Sequence, residues 1–352
     1  MRALLSYALV VLLMLCVAGQ SHRLTTLRRN GLPKAYVGYS AQTPSALIFV
    51  MAGLGGFRGL IAEILWFRVN RLQEEGRYLE LVQLADWITY LDPHATEAWI
   101  YNAWNLTYNV SVMMRRNTDR LRWIKNGIAL LRDDALRFNP REARLYRELA
   151  WIYQNKIGDS LDSGHLAYKL DLATEMMPLL NPDGTVKQAS PMLRTQLADR
   201  RLNLDDMLAL QKQFGSLDWR LAETHAIYWA SQGLKYASGT ERLMCQRAIY
   251  QPLILSVFHG HVTGRLEDQQ WKTSPFPELA LPTAEFLLAT VREHPSKNMT
   301  HVYLLYLART IPLLEQHGLR QQVEGLYARL IEQLPTGMPR PSLQDIFSGW
   351  QP

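Results

Sequence analysis

The chain has 352 residues, 48% hydrophobic and 20% charged, which excludes disordered and collagen-like classes. Two cysteines, Cys16 and Cys245, are too few for a disulfide scaffold or a cysteine-rich zinc site. Lys and Arg outnumber Asp and Glu by 38 to 32, but acidic residues interrupt the densest basic runs, at Arg115–Arg122 and Arg194–Arg201. A nucleic-acid binder gathers its basic residues on one face with aromatics between them. The spread here reads as solvated helix faces, and no nucleic-acid partner is expected.

The first predicted element is a membrane anchor over residues 1–22. Ala3 to Gly19 carries no charge and is dominated by Leu, Val and Ala. Its length suits either a short membrane span or the core of a signal peptide. Gln20 and Ser21 fit a cleavage site poorly, and Leu15 stands before Cys16, where a lipoprotein needs a small residue. An uncleaved anchor is therefore favoured over a cleaved signal. Orientation keeps two readings. Such anchors commonly leave the following domain outside, whereas Arg23, Arg28, Arg29 and Lys34 favour a cytoplasmic side.

Residues 23–58 form a juxtamembrane segment with a second apolar stretch, Ala46 to Phe57. Extended to Phe67 it is long enough to span, but it then takes in Arg58 and Glu63, both costly in lipid. A helix that leaves or skirts the membrane is the favoured reading. The glycines between Gly53 and Gly59 do not make a nucleotide loop: Arg58 stands where the dinucleotide fingerprint needs Gly, and no Gly-Lys-Ser/Thr follows. Ala52, Gly55, Gly56 and Gly59 instead offer a flat strip for helix packing.

From residue 59 onward the apolar spacing is helical; Leu81, Leu84, Ala85, Ile88 and Leu91 recur at three and four. No run alternates as a strand does, and Pro falls mostly between the candidate helices. The expected fold class is all-α. Helix ends at Pro93, Pro140, Pro182 and Pro335 look alike, and Gly76 and Gly318 each lie seventeen residues before such a Pro. A Gly turn followed by a Pro stop describes an antiparallel helical hairpin.

These features resemble the tetratricopeptide repeat, a helical-hairpin unit of about 34 residues. Leu65, Gly76 and Tyr78 fit its pattern in one unit, Trp99 and Ala103 in the next, and Tyr146, Leu149, Ala150 and Tyr153 in a third. Pro93 to Pro140 spans 47 residues and Pro140 to Pro182 spans 42, so the units carry insertions. The resemblance covers residues 59–182 and implies a TPR-like α-α solenoid; residues 183–352 are expected as divergent hairpins. The runs Leu54–Leu60, Leu72–Tyr78, Gln83–Thr89 and Tyr146–Tyr153 are similar to an uncharacterised group of bacterial membrane-anchored repeat proteins. That similarity implies a single-pass protein of the bacterial inner membrane, its soluble part periplasmic, and it carries no activity.

Candidate chemistry is sparse. His259 and His261 could be metal ligands with His225, His294 or His301, but a lone His-x-His in a loop is more often a surface turn. Asp205 and Asp206 follow Asn203 and read as helix capping or solvated charge. Glu63 near Arg58 reads as an ion pair at the membrane edge. Cys245 reads as core. The sequons at Asn105, Asn109 and Asn298 are chance matches, the first two inside a predicted helix. No nucleophile elbow is present. No catalytic residue, cofactor or metal is expected.

In the resembled family the first helices line a concave groove. Its groove positions fall on Glu63, Trp66, Asn70 and Gln73, then Glu97, Ile100, Trp104 and Thr107, then Arg144, Arg147, Trp151 and Gln154. Trp and Arg dominate binding hot spots. Trp66, Asn70, Trp104, Arg144, Arg147 and Trp151 are therefore the candidate contacts to a partner protein or peptide. Two alternatives stand beside this: the groove is filled by later helices, or the two arginines pair with Glu142, Glu148 or later acidic residues. The expected function is a membrane-tethered scaffold for protein–protein interaction, in envelope assembly or export. An enzyme built into the helical domain and a purely structural subunit of a membrane complex are its rivals.

Overall fold

The structure is a computed structural model that describes residues 58–264, 268 and 270–352, with side chains described from Ile61 onward. The expected anchor and the apolar stretch before residue 58 lie outside the described residues. Among those residues the chain is all-α apart from one two-residue strand pair, β1 (His261–Val262) with β2 (Thr273–Ser274). No helix among them is long and apolar enough to cross a membrane.

The chain divides after Asn102 into two compact units. In the first, α1 (Arg58–Glu74) and α2 (Tyr78–Leu91) form an antiparallel hairpin, followed by the start of α3 (Thr96–Trp104). Gly76 has φ +70, and the amides of Gly76 and Arg77 reach back to the carbonyls of Gln73 and Leu72. A residue at ease in the left-handed region, glycine above all, closes a helix in this way at least cost. The hairpin buries Val69, Leu72, Leu81, Leu84 and Ile88, with Ala98 of α3 packed on them.

The second unit begins within α3, which continues as a π-helical stretch (Asn105–Val110) and a last α turn (Ser111–Met113). It packs against α4 (Asn117–Ala129), which widens in turn over Leu130–Ala135 and ends at Leu136–Phe138. Then comes α5 (Ala143–Trp151), extended as a π-helix over Ile152–Ile157. The remaining helices are α6 (His165–Met176), α7 (Pro191–Ala198), α8 (Leu204–Phe214), α9 (Ala222–Leu234), α10 (Gly239–His259), α11 (Ala280–Glu293), α12 (Lys297–Gln316), α13 (Arg320–Gln333) and α14 (Leu343–Phe347).

The chief partner of α5 is α9, and α9 packs in turn on α10. The helix that follows α5 directly, α6, is thus not its main hairpin mate, although Ala150 is buried on α5 as the repeat pattern requires. From α10 the chain runs on as neighbours in sequence order, α10 on α11, α11 on α12, α12 on α13. The turn from α12 to α13 repeats the Gly76 geometry at Gly318, φ +71. Trp219, Tyr168, Tyr303 and Phe214 are the largest fully buried side chains of this unit. Pro252 and Pro312 do not punctuate helices but lie inside α10 and α12, each removing one backbone hydrogen bond from its helix.

Candidate functional site

A local repeat of 47 residues positions the site. The indole Nε1 of Trp99 donates to the carbonyl of Pro93 at 2.9 Å, and the hydroxyl of Tyr146 donates to that of Pro140 at 2.9 Å. Three backbone bonds of the turn between recur. Amide-to-carbonyl bonds Asp92 to Ile88, Ala95 to Asp92 and Ala98 to Ala95 recur as Asn139 to Ala135, Glu142 to Asn139 and Leu145 to Glu142. Trp104 and Trp151 are each the last α-helical residue before a π-helical stretch. Widened turns of this kind often mark functional positions.

Trp104 and Trp151 are 38% and 41% exposed, unusual for so large an apolar group. Beneath them lies a set of buried charges. Glu148, only 6% exposed, accepts from the Trp104 indole at 2.9 Å and pairs with the Arg147 guanidinium at 3.3 Å. The Nε of Arg147 reaches Glu241 of α10 at 2.6 Å. Tyr108, one turn along from Trp104, has its ring 4.7 Å from the indole and under the ammonium of Lys156, 5.4 Å away. Burial, aided by the charge of Glu148, pushes the Tyr108 phenol well above its ordinary pKa. Lys156 is itself buried and donates to Asp162 at 2.7 Å, which also receives Arg120, Tyr168 and the amide of Gly164. Burial would raise the Asp162 carboxyl, but Lys156 and the other donors outweigh it and hold the carboxyl below its ordinary value.

Of the six residues singled out in the sequence, Trp104 and Arg147 meet at Glu148, and Trp151 lies beside the Tyr108 phenol that packs on Trp104. Arg147 is engaged by Glu148 and Glu241, so its guanidinium is not an open anchor for a partner's carboxylate. Arg144 sits one turn earlier, half-buried, with its amide capped by the Glu142 side chain at 3.4 Å. Trp66 and Asn70 belong to the first unit. There Trp66 sets its ring edge-on to Tyr101, 5.3 Å away, and Asn70 is exposed. Tyr108 and Glu241 are the contributors the sequence did not reveal; Tyr108 falls one helical turn after Trp104, a spacing that could have found it.

The other candidates resolve quietly. The Asn203 side chain caps α8 through the amides of Asp205 and Asp206 at 2.8 and 3.2 Å, and those carboxylates pair with Arg194 and Lys235. Cys245 is buried, and burial raises its thiol to about 12. His261 stacks on Phe276, 5.9 Å away. Among the described residues no group of three His, Cys, Asp or Glu could hold a metal. No protein-family model matches the chain, and no curated protein is significantly similar to it.

Proposed function

We propose that the chain is a membrane-tethered, TPR-like helical scaffold that binds another protein through the face carrying Trp104 and Trp151. The observation that carries this reading is the pair of half-exposed indoles, set at equivalent points of two helices. The occupant that fits is an apolar peptide segment. The charges beside the indoles are already matched: Arg147 faces Glu148 and Glu241. An acidic segment would have to displace Glu241, whereas an apolar one needs only the indoles and the exposed Val112 and Met113 at the end of the α3 extension. Aromatic anchors over a fixed polar base are the usual core of a protein interface. The uncharged stretch Ala3–Gly19 supports the tether, with the bacterial inner membrane as the location and the soluble part periplasmic.

The test places a photo-crosslinking side chain at position 151 of the full chain in native membranes, and another at Leu161, which is 88% exposed and outside the face. One discrete adduct from position 151, absent from position 161, is expected. Identical adducts from both positions, or none from 151, would reject the docking face.

A further inference from the structure

A cavity of about 290 Å³ opens between the end of the α5 extension, α6, the start of α9 and the end of α10. Asp159, Lys169 and Glu223 line it together with Gln154, Leu255 and Trp271. Some charges of this unit are matched, as in Lys125 with Asp171, Arg220 with Asp218 and Arg242 with Glu293. Around the cavity they are not. Among the described residues neither Lys169, Asp159 nor Glu223 has an ion-pair partner within 4.0 Å. Opposite charges that share one cavity yet stay apart leave space for something between them, and leaving them unmatched in a partly enclosed site is unfavourable.

We propose that this cavity binds a free α-amino acid with an apolar side chain. Lys169 carries three N–H donors for the ligand's carboxylate, and Asp159 and Glu223 accept from its ammonium. The Gln154 amide serves either end, and Leu255 and Trp271 provide the wall for an aliphatic side chain. The volume lies at the small end of ligand sites, which suits a molecule of this size rather than a nucleotide. Gly158 keeps the floor open: a Cβ there would lie 2.7 Å from the Gln154 carbonyl oxygen and 3.3 Å from Oε1 of Glu223. Burial raises the Glu223 carboxyl above its ordinary pKa, partly countered by its own amide and by Lys169. A pure cation meets Lys169, a pure anion meets two carboxylates, and a neutral sugar leaves all three charges unmatched.

The inference stands apart from the docking face and is tested on the purified full chain in detergent by titration calorimetry. L-leucine, valine, methionine and phenylalanine are the probes. Isoamylamine and 4-methylpentanoate lack one charge each, and glucose lacks both. At least one amino acid is expected to bind, with each single-charge analogue and glucose weaker by roughly tenfold or more. Lys169→Met and Glu223→Gln should each weaken binding by a similar factor while the circular dichroism melt stays cooperative. No binding by any of the four amino acids, equal binding of a single-charge analogue or of glucose, or binding untouched by both substitutions would overturn the assignment. If Lys169→Met fails to fold, Lys169→Gln gives the same reading.

Discussion

The indole Nε1 of Trp104 donates to Oε2 of Glu148 across 2.9 Å, joining a half-exposed aromatic to a buried carboxylate 44 residues away. This bond joins the end of α3 to α5 through one of the residues proposed to meet a partner. Glu148 has Arg147 as its other partner, and a buried carboxylate that loses a donor incurs most of its desolvation cost. Trp104→Phe keeps an aromatic ring and removes the N–H. It should lower stability by about 1–3 kcal/mol, read from urea unfolding. In a double-mutant cycle with Glu148→Leu the two losses should not add, because the second change removes the acceptor that the first left unpaired. Additive losses would mean that the bond contributes nothing.

Gly233 marks a close approach of α9 to α5. A Cβ there would stand 2.9 Å from the Ala143 carbonyl oxygen and 2.9 Å from Cβ of Tyr146, with the Cys245 sulfur at 3.4 Å. Gly233→Ala would gain about 1 kcal/mol of helix propensity on an exposed helix. Here it forces two helices apart, and overpacking costs about 1–3 kcal/mol. The clash with backbone should win, giving a lower thermal midpoint. A raised midpoint would show that α9 and α5 are free to separate.

What the sequence revealed followed from local rules. Gly76 and Gly318 were legible because a turn at positive φ favours glycine, and both sit in that region. Pro93 and Pro140 were legible because they follow helices that stop at Leu91 and Phe138. The pairing of α5 with α9 was not legible. Residues 158–221 intervene, and a helix's periodicity tells which face is buried but not what buries it. Arg147 illustrates the same limit at the site. Its face was readable from spacing, but its partner Glu241 lies 94 residues away. The π-helical stretches left no trace in the apolar pattern, yet they fix where Trp104 and Trp151 emerge.

Arg201 is the only non-glycine residue at positive φ among the described residues, φ 59. It closes α7 with the bonds that Gly76 and Gly318 make: its own amide reaches Ala198 and the amide of Leu202 reaches Leu197. Its Nε also meets Asp133 at 3.2 Å, an exposed pair worth little. Arg201→Gly and Arg201→Ala both lose that pair, so their difference isolates the backbone. The glycine variant should be the more stable by about 1 kcal/mol. Equal stability would mean that this turn opens without cost.

His225 gives the chain a pH dependence that can be worked out in advance. Its ring is buried on α9, stacked 5.1 Å from Tyr153 and edge-on to Trp219, with Nε2 3.1 Å from the Trp219 carbonyl oxygen. Burial lowers its pKa from 6.5 to about 4, against the carbonyl, which favours the charged form. The folded chain therefore keeps this imidazole neutral, its N–H donating to that carbonyl, while the unfolded chain protonates it below about 6.5. Where the unfolded state binds more protons, stability rises with pH. The contribution is fully present above 6.5 and is lost as pH falls towards 4, where the folded state begins to take up the proton as well. A shift from 6.5 to about 4 corresponds to roughly 3 kcal/mol. Denaturant unfolding from pH 7 to 4.5 should show that decline, and His225→Gln should flatten it while lowering stability at pH 7 through the lost ring packing. Asp162, whose carboxyl is held below its ordinary value, loses its share only at still lower pH and so does not mimic the effect. A decline of the same size in His225→Gln would assign it to other groups.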